Sequence, residues 1–320
     1  MVKSALSLCG GALTGGGFEL GALLALEHLT DKEFVDYDAF TGISIGSFGA
    51  AFLANGISVK EMIKLVNFKS DLGRIPLLTM LSMDRVDTFL SGIFSKPRNN
   101  YFHNLRKDLV LSATNLQTGS RAVFANPGLA SRVDSSDEFL GDVTISKAVT
   151  ASSAVPFLYK PVEINGEFYI DAEVHNTSNI GLLFELTSPD YMIVINPLVP
   201  LSASKLSRYK PIKFGRQVLS IFVHSRLQYS REHEEILKEN KILSITPDPN
   251  DAHMEAMPFN LFKLNKCIQS GYDSVCDLFN SDPEHFVEFF NEFGLECNDY
   301  MFREYEYCKG HNLVKEFFLD

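Results

Sequence analysis

Short apolar runs alternate with helical apolar spacing along the first two hundred residues. Residues 4–9, 39–42, 109–115, 121–125, 161–170 and 191–196 read as buried strands, the fifth long enough for two. Between them, apolar positions recur at helical spacing over residues 18–26 and 48–53, and residues 148–156 form a small-residue helix stopped by Pro156. Strands interleaved with helices predict an α/β fold. From about residue 201 the character changes to helix. Asp282 is an N-cap candidate before Pro283, and Phe286, Phe289, Phe290 and Phe293 share one face that ends at Gly294. That aromatic face is expected to pack on the sheet. The organisation predicted is a catalytic unit over residues 1–200, with 201–320 a mainly helical extension packed on it. There is no internal repeat and no low-complexity segment.

Two turns in this pattern carry chemistry. The first is Gly42-Ile43-Ser44-Ile45-Gly46, entered by an apolar run and left by a small-residue helix, which is the strand–turn–helix context of a nucleophile elbow. Side chains at Gly42 or Gly46 would crowd the strand and helix, while Ser44 is held in the open near the positive end of the helix. About one chain of this length in ten contains the pattern by chance, so the elbow alone decides nothing. The second turn, residues 10–17, is glycine-rich and joins a strand to a helix, so its backbone N–H groups suit an anion. A nucleotide phosphate needs a lysine that this turn lacks, and a dinucleotide needs a glycine where Leu20 stands. The remaining ligand is the oxyanion of an acyl-transfer intermediate. The alternative is glycine for tight packing alone. Downstream, the run 167–170 ends in Asp171, which taken alone is either a turn residue or an acid projecting from a strand end.

Together the glycine-rich turn, the Ser44 elbow and Asp171 resemble the patatin-like phospholipase family. Members carry Gly-Gly-Gly-x-Arg-Gly near the N-terminus, then Gly-x-Ser-x-Gly, then Asp-Gly-Gly or Asp-Gly-Ala more than a hundred residues later. Here Asp171 follows Ser44 by 127 positions. Softer echoes are Ser112–Gly119, Ala151–Pro156 and Pro247–Asp251. The resemblance covers residues 4–200 well and the rest loosely. It implies a three-layer α/β/α fold with a mainly parallel central sheet, and a lipid acyl hydrolase with Ser44 and Asp171 as a dyad. It also implies an oxyanion hole over Gly10, Gly11, Ala12, Leu13, Thr14 and Gly15, with the amides of Gly10, Gly11 and Ala12 foremost. Three positions depart from the family. Ala12 replaces the third glycine, Thr14 stands where many members have Arg, and Ala172 replaces the glycine after the acid. If position 172 needs a positive φ, alanine there costs on the order of 1 kcal/mol. Short-chain esterase or thioesterase activity, or acyl binding without turnover, are the alternatives.

Composition narrows the class. Forty acids against twenty-nine basic residues give a net charge of −11, which argues against nucleic acid as a partner. Five scattered cysteines read as reduced thiols in a cytosol. Residues 1–13 carry Lys3 and an apolar run, but Gly10 and Gly11 break it inside the anion-binding turn, so a cleaved signal is not expected. No apolar stretch approaches the ~20 residues that span a bilayer, which leaves peripheral contact. There is no His-x-x-x-His or Cys-x-x-Cys pair, so no metal or other cofactor is expected. His175, four residues past Asp171, would complete a Ser-His-Asp triad only if the two converged on Ser44, and the elbow comes too early for an α/β-hydrolase. His28 and His224 read as packed or surface side chains. For the lipid, the Leu- and Met-rich segment 72–94 is either an acyl-contacting surface or an ordinary buried helical pair. The run Lys205, Arg208, Lys210, Lys213, Arg216 is either an anionic-headgroup contact or a solvated connector.

Overall fold

Strand β1 (Ser4–Leu8) is buried along its whole length, because both of its faces are covered. Leu6 and Leu8 enter the larger of two apolar cores, while Ala5 and the following Cys9 enter the smaller. The same alternation sorts β2 (Ala39–Gly42), β3 (Asp108–Asn115) and β8 (Tyr191–Ile195), whose Phe40, Leu109 and Ile193 point one way and Ala39, Val110 and Met192 the other. Near-continuous burial is what a parallel sheet between two helical layers demands. The computed structural model describes residues 2–30, 32–66, 82–175, 178–198, 241–248, 251, 254 and 264–297.

The remaining strands are β4 (Arg121–Phe124), β5 (Glu138–Phe139), β6 (Val162–Ile164), β7 (Glu167–Ile170) and β9 (Lys241–Ile245). The main path runs β5-β4-β3-β2-β1-β8-β9, with β7 pairing the end of β3 and β6 pairing β7. Contacts from β3 through β2, β1 and β8 to β9 are parallel, as is β4 with β5, whereas β3–β4, β3–β7 and β6–β7 are antiparallel. The segment 161–170 is two strands because Asn165 and Gly166 both take positive φ, the turn that a tight hairpin requires. β5 and β9 were not expected from the sequence. β9 comes from the region after residue 201 and adds to the free edge of β8 over Tyr191↔Lys241 to Ile195↔Ile245.

On the larger core lie α1 (Ala12–Leu29), α2 (Ile45–Ala54), α3 (Val59–Val66), α4 (Met83–Ile93), α5 (Ile145–Ser152), α7 (Leu264–Ser281) and α8 (Pro283–Glu292). α6 (Ile180–Thr187) covers the smaller core through Leu182, Leu183 and Leu186. The fold is therefore three-layered α/β/α around a mainly parallel sheet. α1 and α7 cross with their backbones in contact: a Cβ on Gly21 would lie 1.8 Å from the Ile268 carbonyl oxygen, and one on Gly271 1.9 Å from that of Phe18. α8 starts as its sequence predicts, with Asp282 Oδ1 accepting the His285 N–H, and Phe286, Phe289 and Phe290 are buried. No helix among the described residues is long and apolar enough to cross a membrane.

The register places the chemistry. β1 lies between β2 and β8, with Leu8 opposite both Gly42 and Ile195. The glycine turn after β1 and the elbow after β2 therefore leave the sheet side by side, at the carboxyl ends of parallel strands where open α/β sheets form their crevices.

Candidate active site

Ser44 joins β2 to α2 with φ 51° and ψ −122°, a conformation that a residue with a Cβ keeps only where its surroundings enforce it. Close approach on both sides provides part of that enforcement. A Cβ on Gly42 would sit 2.2 Å from the Gly46 carbonyl oxygen, and one on Gly46 2.4 Å from that of Leu8. Hydrogen bonds provide the rest. The Ser44 N–H donates to Ser152 Oγ at 3.1 Å, and the Ser44 carbonyl accepts from Ser47 Oγ at 2.6 Å and Ser153 Oγ at 2.9 Å. The run 151–156, only an echo of the family in the sequence, is thus the clamp on the elbow.

Asp171 follows β7 directly. Its N–H donates to the Ala154 carbonyl at 3.1 Å, and its own carbonyl accepts from Thr114 Oγ1 at 2.9 Å. Its carboxyl Oδ1 accepts the Glu173 N–H at 2.9 Å, capping a 3₁₀ turn over Ala172–Val174. Oδ2 accepts the Ser44 hydroxyl at 2.7 Å, with no ring between them. Both side chains are buried. Burial pushes the Asp171 carboxyl up to about 7, against the lowering effect of the Glu173 N–H and the Ser44 hydroxyl. A carboxylate so raised is a far better base at neutral pH than a solvated aspartate.

The glycine turn is shorter than expected. α1 begins at Ala12 with Gly11 as its N-cap, so Leu13, Thr14 and Gly15 belong to its first turn. The Gly15 N–H donates to the Gly11 carbonyl at 2.9 Å, and Thr14 Oγ1 donates to the same oxygen at 3.2 Å, which commits both groups to the helix start. The amides of Ala12, Leu13 and Thr14 are first-turn donors that a helix cannot satisfy internally. The strained alanine is Ala12, at φ 55°, whereas Ala172 sits in the 3₁₀ turn without a positive φ. The local cost anticipated at 172 therefore falls at 12.

Sequence reasoning missed Glu173. It occupies the third position of the Asp motif, where the family has Gly or Ala, so the signal was an acid in place of a small residue. Its carboxyl lies towards the Gly11 N–H, which favours its charged form, and a Cβ on Gly10 would lie 1.5 Å from its Oε1. Glu19 on α1 is a second missed acid, 3 % exposed, with Oε1 lacking a hydrogen-bond partner.

An apolar cavity of about 100 Å³ opens between α1 and α2, lined by Leu13, Ile45, Phe48, Phe52, Val86 and Phe89 among others. Ile45 follows Ser44 in the chain and Leu13 lies in the first turn of α1, so the cavity has the residue after Ser44 in its wall. Val86 and Phe89 come from the segment 72–94, for which the sequence left open an acyl-contacting surface or a buried helical pair; its residues 72–81 lie outside the described residues. The basic run Lys205–Arg216 and His224 lie outside them too, as do Pro249 and Asn250 of the 247–251 echo.

A sequence profile described as Patatin-like phospholipase matches residues 6–184, more than half of the chain. The uncharacterized protein R571 of Acanthamoeba polyphaga mimivirus is 27 % identical over 179 residues, covering 50 % of this chain and 56 % of that protein. The match thus takes in little more than half the length of this curated relative. Among solved structures, VipD from Legionella pneumophila is similar over 88 % of this chain and 67 % of its own, at 14 % identity and a TM-score of 0.41. The full-length complex of SpcU with ExoU, from the type III secretion system of Pseudomonas aeruginosa, is similar over 85 % of this chain and 53 % of the matched one, at 13 % identity and a TM-score of 0.36.

Proposed function

This chain belongs to the patatin-like phospholipase family, and from that premise we propose that it hydrolyses the carboxylic esters of acyl lipids through an acyl-enzyme on Ser44. The observation that carries the reading is the direct 2.7 Å hydrogen bond from Ser44 Oγ to Asp171 Oδ2, made at a strained elbow. Ser44 Oγ attacks the ester carbonyl carbon as its proton passes to Asp171. The tetrahedral oxyanion meets the amides of Gly10 and Ala12, the Gly11 N–H being turned to Glu173, and is backed by the N-terminus of α2. Its collapse breaks the bond to the alcohol, which leaves with the proton from Asp171. Water then attacks the acyl carbon and gives a proton to Asp171, and Ser44 recovers that proton as the carboxylic acid departs.

The apolar cavity beside Ile45 supports an acyl chain as the group transferred. Chemistry falls within residues 1–200, and the region 201–320 extends the same body through β9 and α7. Contact with a lipid surface is peripheral in this reading.

A fluorophosphonate probe, followed by a panel of phospholipids and soluble acyl esters with products read by mass spectrometry, tests it. Labelling at Ser44 with release of fatty acid from phospholipids is the expected result. Turnover of short esters or thioesters alone redirects the substrate class. Absence of labelling at every pH, with acyl chains bound but not cleaved, reduces the protein to an acyl binder.

A further inference from the structure

Two helices wall the apolar cavity beside the elbow, each with a stripe at helical spacing. Ile45, Phe48 and Phe52 come from α2, and Gly16, Glu19 and Leu23 from α1. Positions i, i+3 and i+7 share one helical face, so Glu19 stands on the face of α1 that borders the cavity. Gly16 marks where that face meets α2, because a Cβ there would lie 2.7 Å from Ile45 Cγ1. Glu19, three residues on, is about 4.5 Å further along α1 and so further from the elbow.

Among the described residues, every other side chain in that wall is apolar or absent as glycine. Glu19 is 3 % exposed, and its Oε1 is buried without a hydrogen-bond partner. A carboxyl left unpaired among apolar side chains costs stability, and a leucine in its place would only add contacts. Covered from outside, the group can be met only by what enters the cavity. Its charge state says what kind of partner fits. Burial and the Glu173 charge raise its carboxyl well above the usual carboxylate range, which favours the neutral acid. A neutral carboxyl both donates and accepts, as a hydroxyl does, but offers an ammonium group no ion pair.

We propose that Glu19 makes the cavity selective for an ester whose acyl chain carries a hydroxyl group at the depth of the Glu19 carboxyl. This rests on the acyl-transfer reading above, in which the chain runs from Ser44 past Ile45. A plain chain of the same length sets methylenes against the carboxyl and leaves it unpaired. A hydroxylated chain donates its O–H to one carboxyl oxygen and accepts the proton held on the other, which satisfies both groups in apolar surroundings. A site built around such a bond rejects the analogue lacking it more strongly than an apolar pocket discriminates by size. Because α1 fixes the depth of Glu19, one hydroxyl position is preferred, rather than hydroxylated chains in general. Glu19 meets the chain and not the reacting carbonyl, so it sets specificity and leaves the chemistry to Ser44 and Asp171.

The test is a series of nitrophenyl esters of one chain length, unsubstituted or with the hydroxyl at successive carbons, offered to wild type, Glu19→Gln and Glu19→Leu. Melting curves verify that each protein folds. Wild type should favour one isomer over the unsubstituted ester by about 10-fold or more in kcat/KM. Glu19→Gln keeps a neutral donor and acceptor and should retain most of that preference. Glu19→Leu should lose it and turn over the unsubstituted ester faster than wild type does. A flat profile along the chain in wild type overturns the proposal even if neither variant folds, and so does a preference that survives in Glu19→Leu. A preference lost in Glu19→Gln overturns it as well, since that result requires a carboxylate. If no ester is cleaved, the acyl-transfer reading falls, and calorimetry with the free hydroxylated and unsubstituted fatty acids tests the cavity by itself. Tighter binding of one hydroxylated acid, lost in Glu19→Leu, keeps the assignment of Glu19. Equal binding, or none, overturns it.

Discussion

Ser153 donates its hydroxyl to the Ser44 carbonyl at 2.9 Å, so the end of α5 holds the backbone that carries the proposed nucleophile. Ser47 donates to the same oxygen, and Ser152 alone receives the Ser44 N–H. Ser153→Ala should therefore cost about 1 kcal/mol of stability, because Ser47 still serves the carbonyl. Ser152→Ala should cost about 1–3 kcal/mol by leaving a buried N–H without an acceptor. Both should slow fluorophosphonate labelling, Ser152→Ala more. Urea denaturation and labelling rates measure the two effects, and equal behaviour of the two variants would remove the clamp.

Replacement of Asp171 separates a dyad from a triad. Asp171→Asn keeps the shape of the acid but cannot take the Ser44 proton, so activity should fall nearly as far as in Ser44→Ala. His175→Ala should keep most activity, because the Ser44 hydroxyl reaches Asp171 directly. Assays on one soluble ester, with circular dichroism of each variant, make the comparison. An active Asn variant beside an inactive His175→Ala would establish a histidine base.

The raised Asp171 carboxyl also shapes stability against pH. Its folded value, about 7, lies above the unfolded value near 4, so the native state holds the proton more tightly. The stability this contributes is complete below pH 4 and is lost as pH rises through 7. Asp171→Asn carries no charge to bury, and should gain on wild type over that interval by on the order of a few kcal/mol. Melting temperatures of the two proteins from pH 4 to 8 should diverge with the variant higher at the alkaline end. Parallel curves would show that Asp171 titrates normally in the fold.

The crossing of α1 and α7 predicts a contrast between two glycines. Gly271→Ala would push a methyl group against the Phe18 carbonyl, which backbone cannot yield without a shift. A loss of about 1–3 kcal/mol and several degrees of melting temperature should follow. Gly181→Ala, on α6 with nothing within 4 Å, should be neutral or stabilising. Thermal melts of the pair decide it, and equal melting would mean that the helices sit further apart.

Residue order by itself determined the parts that depend on near neighbours. Buried runs such as residues 4–9 and 191–196, the glycines around Ser44 and the Asp282-Pro283 helix start each record a constraint met within a few positions of chain. They made the α/β class and the elbow legible, and the family pattern added Asp171. Tertiary structure alone decided what those pieces meet. Lys241–Ile245 is a short run inside a helical region, and it becomes a strand because β8 offers an unpaired parallel edge. The turn 10–17 reads as one glycine-rich loop, yet the helix starts at Ala12, so the strain and the free amides fall elsewhere than motif spacing implied. The clamp of Ser152 and Ser153 on Ser44, and the acid Glu173 on the Gly10–Gly11 turn, join positions more than a hundred residues apart. Periodicity reports which face of an element is buried, but contacts of that range are set by strand order and register, because only packing brings the carboxyl ends of β1, β2 and β7 into one crevice.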